Sequence, residues 1–132
     1  MKRLVLDTDV ASYIFKWHPS APGYVELLES NQVVISFITP AEMRLGALKA
    51  HWGLRRRSLL KGYLSRFAVC YADDPLCSQW AEVKFESNRK GRPISSQDAW
   101  IAATALYLDT PLVTNNAKHY AHLAKLQILT RQ

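Results

Sequence analysis

The sequence predicts an α/β fold, a mostly parallel central sheet of four to five strands flanked by helices. Four short β-type runs, Arg3 to Leu6, Gln32 to Ser36, Phe67 to Tyr71 and Pro111 to Thr114, are apolar almost throughout, and Gln127 to Thr130 is a fifth candidate. Continuous apolar runs suit strands buried on both faces, as parallel strands are. The segments between them are long enough to carry the crossover helices that parallel pairing requires. A chain of 132 residues with 48% hydrophobic residues buries one core, so residues 1–132 read as one domain.

Each element has a local cause. Arg3 to Leu6 ends at Asp7-Thr8-Asp9, which opens a helix over Thr8 to Phe15. Pro19, Pro22 and Gly23 separate that helix from one over Ala21 to Glu29, and Gly53 divides Pro40 to Ala50 from Leu54 to Arg66. Thr39-Pro40-Ala41-Glu42 and Ser95-Ser96-Gln97-Asp98 each place a hydroxyl three residues before an acid, a helix-start pattern. Helices over Leu76 to Lys90 and Asp98 to Leu108 complete the alternation. There is no repeat and no low-complexity stretch.

The first apolar run, Leu4 to Leu6, is too short for a signal peptide, and no later stretch approaches a membrane span. Cys70 and Cys77 make neither a disulfide framework nor a metal knuckle, so a reduced, cytoplasmic protein is expected. Seventeen Lys and Arg against eleven Asp and Glu leave a net charge of +6 and a pI near 9.5, which favours acidic partners such as nucleic acid.

In an open parallel sheet, ligands bind outside the carboxyl ends of the strands. Asp7 and Asp9 follow strand one, Glu42 lies on the helix after strand two, and Asp98 opens the helix before strand four. Each acid also has a structural reading. Asp7 suits a helix cap, stabilising the first turn by about 1 kcal/mol, Asp9 suits the helix dipole, and Glu42 completes a capping box with Thr39. Asp98 shares a helical face with Ile101, Ala102, Ala105 and Leu108, where a carboxylate is costly unless bound, although a helix N-terminus can host it.

Acids that converge without a neutralising lysine repel one another and call for a hard divalent cation, Mg2+ or Mn2+. Zinc is disfavoured, since His18, His51, His119 and His122 show no zinc-motif spacing. No GxSxG, GxGxxG or P-loop occurs, leaving metal-assisted hydrolysis of a phosphodiester as the chemistry.

From Arg44 to Arg66 the chain holds Arg44, Lys49, Arg55, Arg56, Arg57, Lys61 and Arg66 and no acid, with Trp52 and Tyr63 as stacking planes suited to RNA. A solvated helix face is the competing reading. Lys84, Arg89, Lys90 and Arg92 form a second basic cluster leading to Asp98. The RNA-binding candidates are Arg55, Arg56, Arg57, Lys61, Arg89, Lys90 and Arg92.

The segments LVLDTD, ISFITPAEMRLGA, GRPISSQDAWIAATA and LVTNNAKHY, in that order, resemble a PIN domain of the VapC type, the toxin ribonucleases of bacterial toxin-antitoxin pairs, across essentially the whole chain. The resemblance implies that Asp7, Glu42 and Asp98 are the metal-binding acids of a Mg2+- or Mn2+-dependent endoribonuclease, with Thr8 and Thr114 beside them. Asp9 is a further supporting candidate. His119 and Asn116 stand where family members often carry another acid, which leaves open whether one metal or two are held. The family further implies a homodimer, a VapB-like antitoxin whose C-terminal segment fills the active-site groove, and cleavage of structured RNA such as tRNA. Hydrolysis would leave 5′-phosphate and 3′-hydroxyl ends.

Two rivals belong to other classes. Asp7-Thr8-Asp9-Val10 fits the start of a haloacid-dehalogenase-type phosphatase, with Asp7 as nucleophile, Asp9 as general acid, and Ser36 and Asp73-Asp74 as later motifs. A non-catalytic RNA-binding module on the same fold is the other.

Overall fold

The computed structural model describes residues 2–131. Five strands, β1 (Arg3–Leu6), β2 (Gln32–Ser36), β3 (Ala68–Cys70), β4 (Leu112–Val113) and β5 (Ile128–Leu129), form one sheet in the order β3-β2-β1-β4-β5. Every pairing is parallel. The strand order runs outward from β1 in both senses, so its carboxyl end lies between those of β2 and β4. The helices are α1 (Thr8–Lys16), α2 (Ala21–Glu29), α3 (Ile38–Lys49), α4 (Leu54–Leu64), α5 (Asp74–Arg89) and α6 (Ser96–Tyr107), and a single 3-10 turn covers Ala117–His119.

Side chains alternate across a strand, so β1 feeds two cores. Val5 packs with Val34, Leu112, Ile101, Ala102, Leu76 and Val83 on one face. Leu4 and Leu6 pack with Ile35, Val113, Val10, Tyr24, Met43 and Leu60 on the other. Burial on both faces is why these strands read as unbroken apolar runs rather than alternating ones.

β1, β2 and α2 have the expected bounds, and the remaining elements differ at their ends. β3, β4 and β5 are shorter than the apolar runs that signal them. α3 begins at Ile38 rather than Pro40, and its N-cap, Phe37, contributes no side-chain bond. The capping box expected from Thr39 and Glu42 is therefore not made. Thr39 is buried inside the first turn, with its hydroxyl 2.9 Å from that of Thr8, and Pro40 is tolerated because first-turn N–H groups have no intrahelical acceptor. α5 starts at Asp74, earlier than Leu76, because Asp73 caps it by accepting the Leu76 N–H at 2.9 Å, with Pro75 in the first turn. The Ser95 cap does form, its hydroxyl accepting the Asp98 N–H at 3.1 Å.

Candidate active site: an acidic centre at the carboxyl edge of the sheet

The β1–β4 register sets Leu6 opposite Val113, so the next residues, Asp7 and Thr114, emerge side by side. The Asp7 N–H reaches the Val113 carbonyl at 2.9 Å, fixing where its side chain starts. Asp7 is both a cap and a site residue. Its Oδ1 accepts the Thr8 N–H at 2.8 Å, opening α1. Its Oδ2 accepts the Thr114 hydroxyl at 2.6 Å and the Tyr120 hydroxyl at 3.1 Å, and only 5% of the residue is exposed.

Tyr120 is fully buried, and its single hydroxyl proton is given to Asp7, bracing the acid that caps α1. The sequence offered no sign of this role. Tyr120 lies 113 residues from Asp7 and is brought there by the turn after β4.

Glu42, half-buried on α3, accepts the Thr8 hydroxyl at 2.7 Å. Since that hydroxyl has one proton, the Thr39 hydroxyl must donate to Thr8, making a relay Thr39 to Thr8 to Glu42. Asp9 is held apart from this relay. Its Oδ2 accepts the Asn115 N–H at 3.1 Å and the Asn116 side-chain amide at 2.9 Å, and its Oδ1 the Val10 N–H at 2.6 Å. Asn116 thus fastens Asp9, and its own N–H donates to the Thr114 hydroxyl at 3.0 Å. His119 turns toward Asp98, with Nδ1 3.5 Å from Oδ2. His122 instead meets Ser87, so the two histidines do not form a pair.

The acids feel one another. Burial and then the Asp98 charge raise Asp7 above its ordinary value, against the opposing bonds from Thr114, Tyr120 and Thr8. Burial and the Asp7 charge push Asp9 up to about 7. Glu42 is raised by burial and by Asp7 and Asp98, partly offset by the Thr8 bond. Burial and the same two aspartates raise Tyr120, which stays a neutral donor.

The donor set is all hard oxygen, carries excess negative charge and is braced by neutral hydroxyls, which fits a hard divalent cation. Among the described residues no three His, Cys, Asp or Glu side chains form a ready-made metal cage.

The basic candidates divide. On α4, Arg55, Arg56 and Lys61 are exposed, while Arg57 is half-buried. The Arg56 guanidinium lies 3.8 Å from the Trp52 ring centre, and a groove of about 240 Å3 runs from there past Lys16 and Ser12 to Thr8 and Glu42. Tyr63 is not the stacking plane the sequence suggests. It packs against Phe15 and Phe67 and donates its hydroxyl to the Ala11 carbonyl at 2.8 Å. At and just beyond the end of α5, Arg89 and Arg92 are exposed, whereas Lys90 bonds the His122 carbonyl at 2.6 Å and pairs with Glu86 at 2.9 Å.

The later phosphatase motifs do not reach the centre. Asp73 caps α5 and accepts the Tyr107 hydroxyl at 3.3 Å, and the Ser36 hydroxyl accepts the Ile38 N–H at 3.2 Å. Cys70 and Cys77 are free thiols. No helix among the described residues is long and apolar enough to cross a membrane.

Comparison with known proteins agrees with this geometry. A ribonuclease VapC1 from Haemophilus influenzae is 31% identical over 93% of each chain. A tRNA(fMet)-specific endonuclease VapC from Shigella flexneri is 27% identical over 96% of each. The toxin-antitoxin complex VapBC2 of Rickettsia felis, solved with a promoter DNA fragment, superposes with a TM-score of 0.86 at 29% identity, covering 98% of this chain and 99% of that one. The PIN domain profile matches residues 4–126. With its acids gathered where β1, α3 and α6 meet, the chain belongs to the PIN domain family and groups there with the VapC ribonucleases.

Proposed function

We propose that this chain cuts RNA as the toxin of a toxin-antitoxin pair, with Asp7, Asp98 and Glu42 as its metal-binding acids and Mg2+ or Mn2+ as the ion. One observation carries the assignment of the centre. Asp7, buried and braced by the Thr114 and Tyr120 hydroxyls, lies close enough to Asp98, far away in the chain, for the Asp98 charge to raise it. A bound divalent ion would supply activated water and charge stabilisation at the scissile phosphate.

The protein's own contribution is placement. Thr114 and Tyr120 hold Asp7 Oδ2, the Thr39–Thr8 relay holds Glu42, and Asn115 and Asn116 keep Asp9 to one side as a support. Hydrolysis in line leaves 5′-phosphate and 3′-hydroxyl ends. The relatives' names point to structured RNA such as tRNA as substrate. Solved relatives occur as VapBC complexes, so a VapB-like antitoxin is the expected inhibitor, alongside a homodimeric toxin. Exposed Leu45 and Leu48 on α3 and Leu54 and Leu59 on α4 would suit an amphipathic antitoxin segment.

The test is cleavage of a small-RNA pool with Mg2+ or Mn2+ and with chelator, using wild type and Asp98→Asn purified identically. Metal-dependent fragments from the wild type alone are expected. Equal fragments from both proteins would overturn the site, and no fragments from either would return weight to the binding module.

A further inference from the structure

A cleft of about 370 Å3 lies on the side of the acidic centre away from α4, lined by Arg92, Ser95, Asp98, Lys118, His119 and His122 among others. Its walls are the 90–95 connection and the segment after β4, both fastened to α5. The Arg92 N–H meets the Ser87 carbonyl at 2.9 Å, and the Lys84 ammonium meets the Ile94 carbonyl at 2.7 Å. The Lys90 ammonium meets the His122 carbonyl at 2.6 Å, and the Ser87 hydroxyl lies 2.7 Å from His122 Nε2.

Lys84 and Lys90 are thus committed to carbonyls. Arg92 and Lys118 are not: both are exposed, and among the described residues neither has a carboxylate within 4.0 Å, the ion pairs being Lys90–Glu86 and His119–Asp98. Burial, then the Arg92 and Lys90 charges, hold the His122 imidazole below its ordinary value, so it joins the cleft as a neutral wall. One continuous cleft therefore runs from a centre of excess negative charge at Asp98 to two unpaired cations.

A nucleic-acid backbone needs that sequence of charges. The phosphate at the acids is reached through a divalent ion, whereas its neighbour must be met by protein cations directly. Arginine offers a planar fork matched to phosphate oxygens, and lysine adds a point charge. We propose that this cleft is the subsite for the RNA phosphate adjacent to the one that is cut, held by Arg92 and Lys118, with His119 lining the passage beside Asp98. The proposal rests on the ribonuclease reading and adds Lys118, which no local pattern in the sequence marked.

The experiment uses the full chain and a labelled single-stranded RNA of twelve nucleotides, with binding followed by fluorescence anisotropy across a salt series in chelator. Arg92→Gln/Lys118→Gln is compared with the charge-matched control Lys2→Gln/Lys125→Gln, both checked for folding by thermal melts. Two lost phosphate contacts should lower the slope of log K against log salt by about 1.4, from roughly 0.7 per contact on a single strand. Affinity should fall about tenfold more in the cleft variant than in the control, with KM for RNA rising in step. In amide-resolved NMR, adenosine 3′,5′-bisphosphate should shift Arg92, Ile94, Ser95 and residues 117–119.

If the wild type cuts RNA and the cleft variant keeps its slope, the subsite is overturned while the ribonuclease stands. Unchanged RNA binding with lost affinity for a poly-glutamate peptide also overturns it, assigning the cleft to an acidic protein partner. If the wild type cuts no RNA with metal present, the ribonuclease reading falls and the subsite with it.

Discussion

The two arms of the acidic centre are held by different physics. The inner arm centres on Asp7, 5% exposed, which accepts the fully buried Tyr120 hydroxyl and is raised by the charge of Asp98, itself half-buried. The outer arm, Glu42, is only half-buried and hangs from the Thr39–Thr8 relay. Burial strengthens repulsion between like charges because the interior screens poorly. The inner arm therefore depends on a cation more than the outer one does, and rigidity there comes from hydroxyls that donate without adding charge.

The largest expected effect is on the inner arm. Asp7→Asn or Asp98→Asn should lower kcat/KM for RNA by roughly a thousandfold, since several kcal/mol of metal-borne charge stabilisation are lost at about 1.36 kcal/mol per decade. If Glu42→Gln costs as much as Asp98→Asn in the same assay, the distinction between the arms is broken. Tyr120→Phe tests the tether. It should lower activity by about 10–100-fold, the usual range for a group that orients a metal-binding residue, and weaken Mn2+ binding measured by calorimetry. An unchanged Mn2+ affinity would assign Tyr120 to packing alone.

Smaller effects sharpen the contrast. Thr8→Val breaks the relay to Glu42 and should cost less than Tyr120→Phe, a few-fold to tenfold in kcat/KM at saturating metal. Asp9→Asn should leave most cleavage intact, because Asp9 is engaged by Asn115 and Asn116, whereas a phosphatase using Asp9 as acid would be inactive on any phosphomonoester.

The smallest effect is on stability. Asp7, Asp9 and Glu42 bind protons more readily folded than unfolded, Asp9 having been pushed from 3.8 to about 7. Between those values the folded chain carries more protons, so the Tm of metal-free protein should fall as pH rises from about 4 to about 7. Asp9→Asn should flatten that fall, and added Mg2+ should reverse it at pH 7.5. A Tm that rises across the window without metal would contradict the account.

Much of this is legible in the sequence. β1 and β2 keep the bounds of their apolar runs, since strands buried on both faces leave an unbroken signal. Asp7 and Asp98 were marked by standing at a strand end and on an apolar helical face. The rest was less visible where a tertiary contact won over a local rule. Thr39 and Glu42 read as a capping box, yet both side chains turn to Thr8, which lies 31 and 34 residues away. Arg55, Arg56 and Arg57 read as one basic block, but successive helical residues point about 100° apart, so Arg56 covers Trp52 while Arg57 is half-buried.

Periodicity and residue order thus determined the α/β class and the edge where acids would gather, because those depend on local preference and on which faces must be buried. Only the tertiary structure decided that Tyr120 braces Asp7, that Asn116 serves Asp9, and that Lys118 stands with Arg92 beside the centre. These are contacts between residues distant in the chain, set by strand register and by the turn after β4, and no local pattern encodes them.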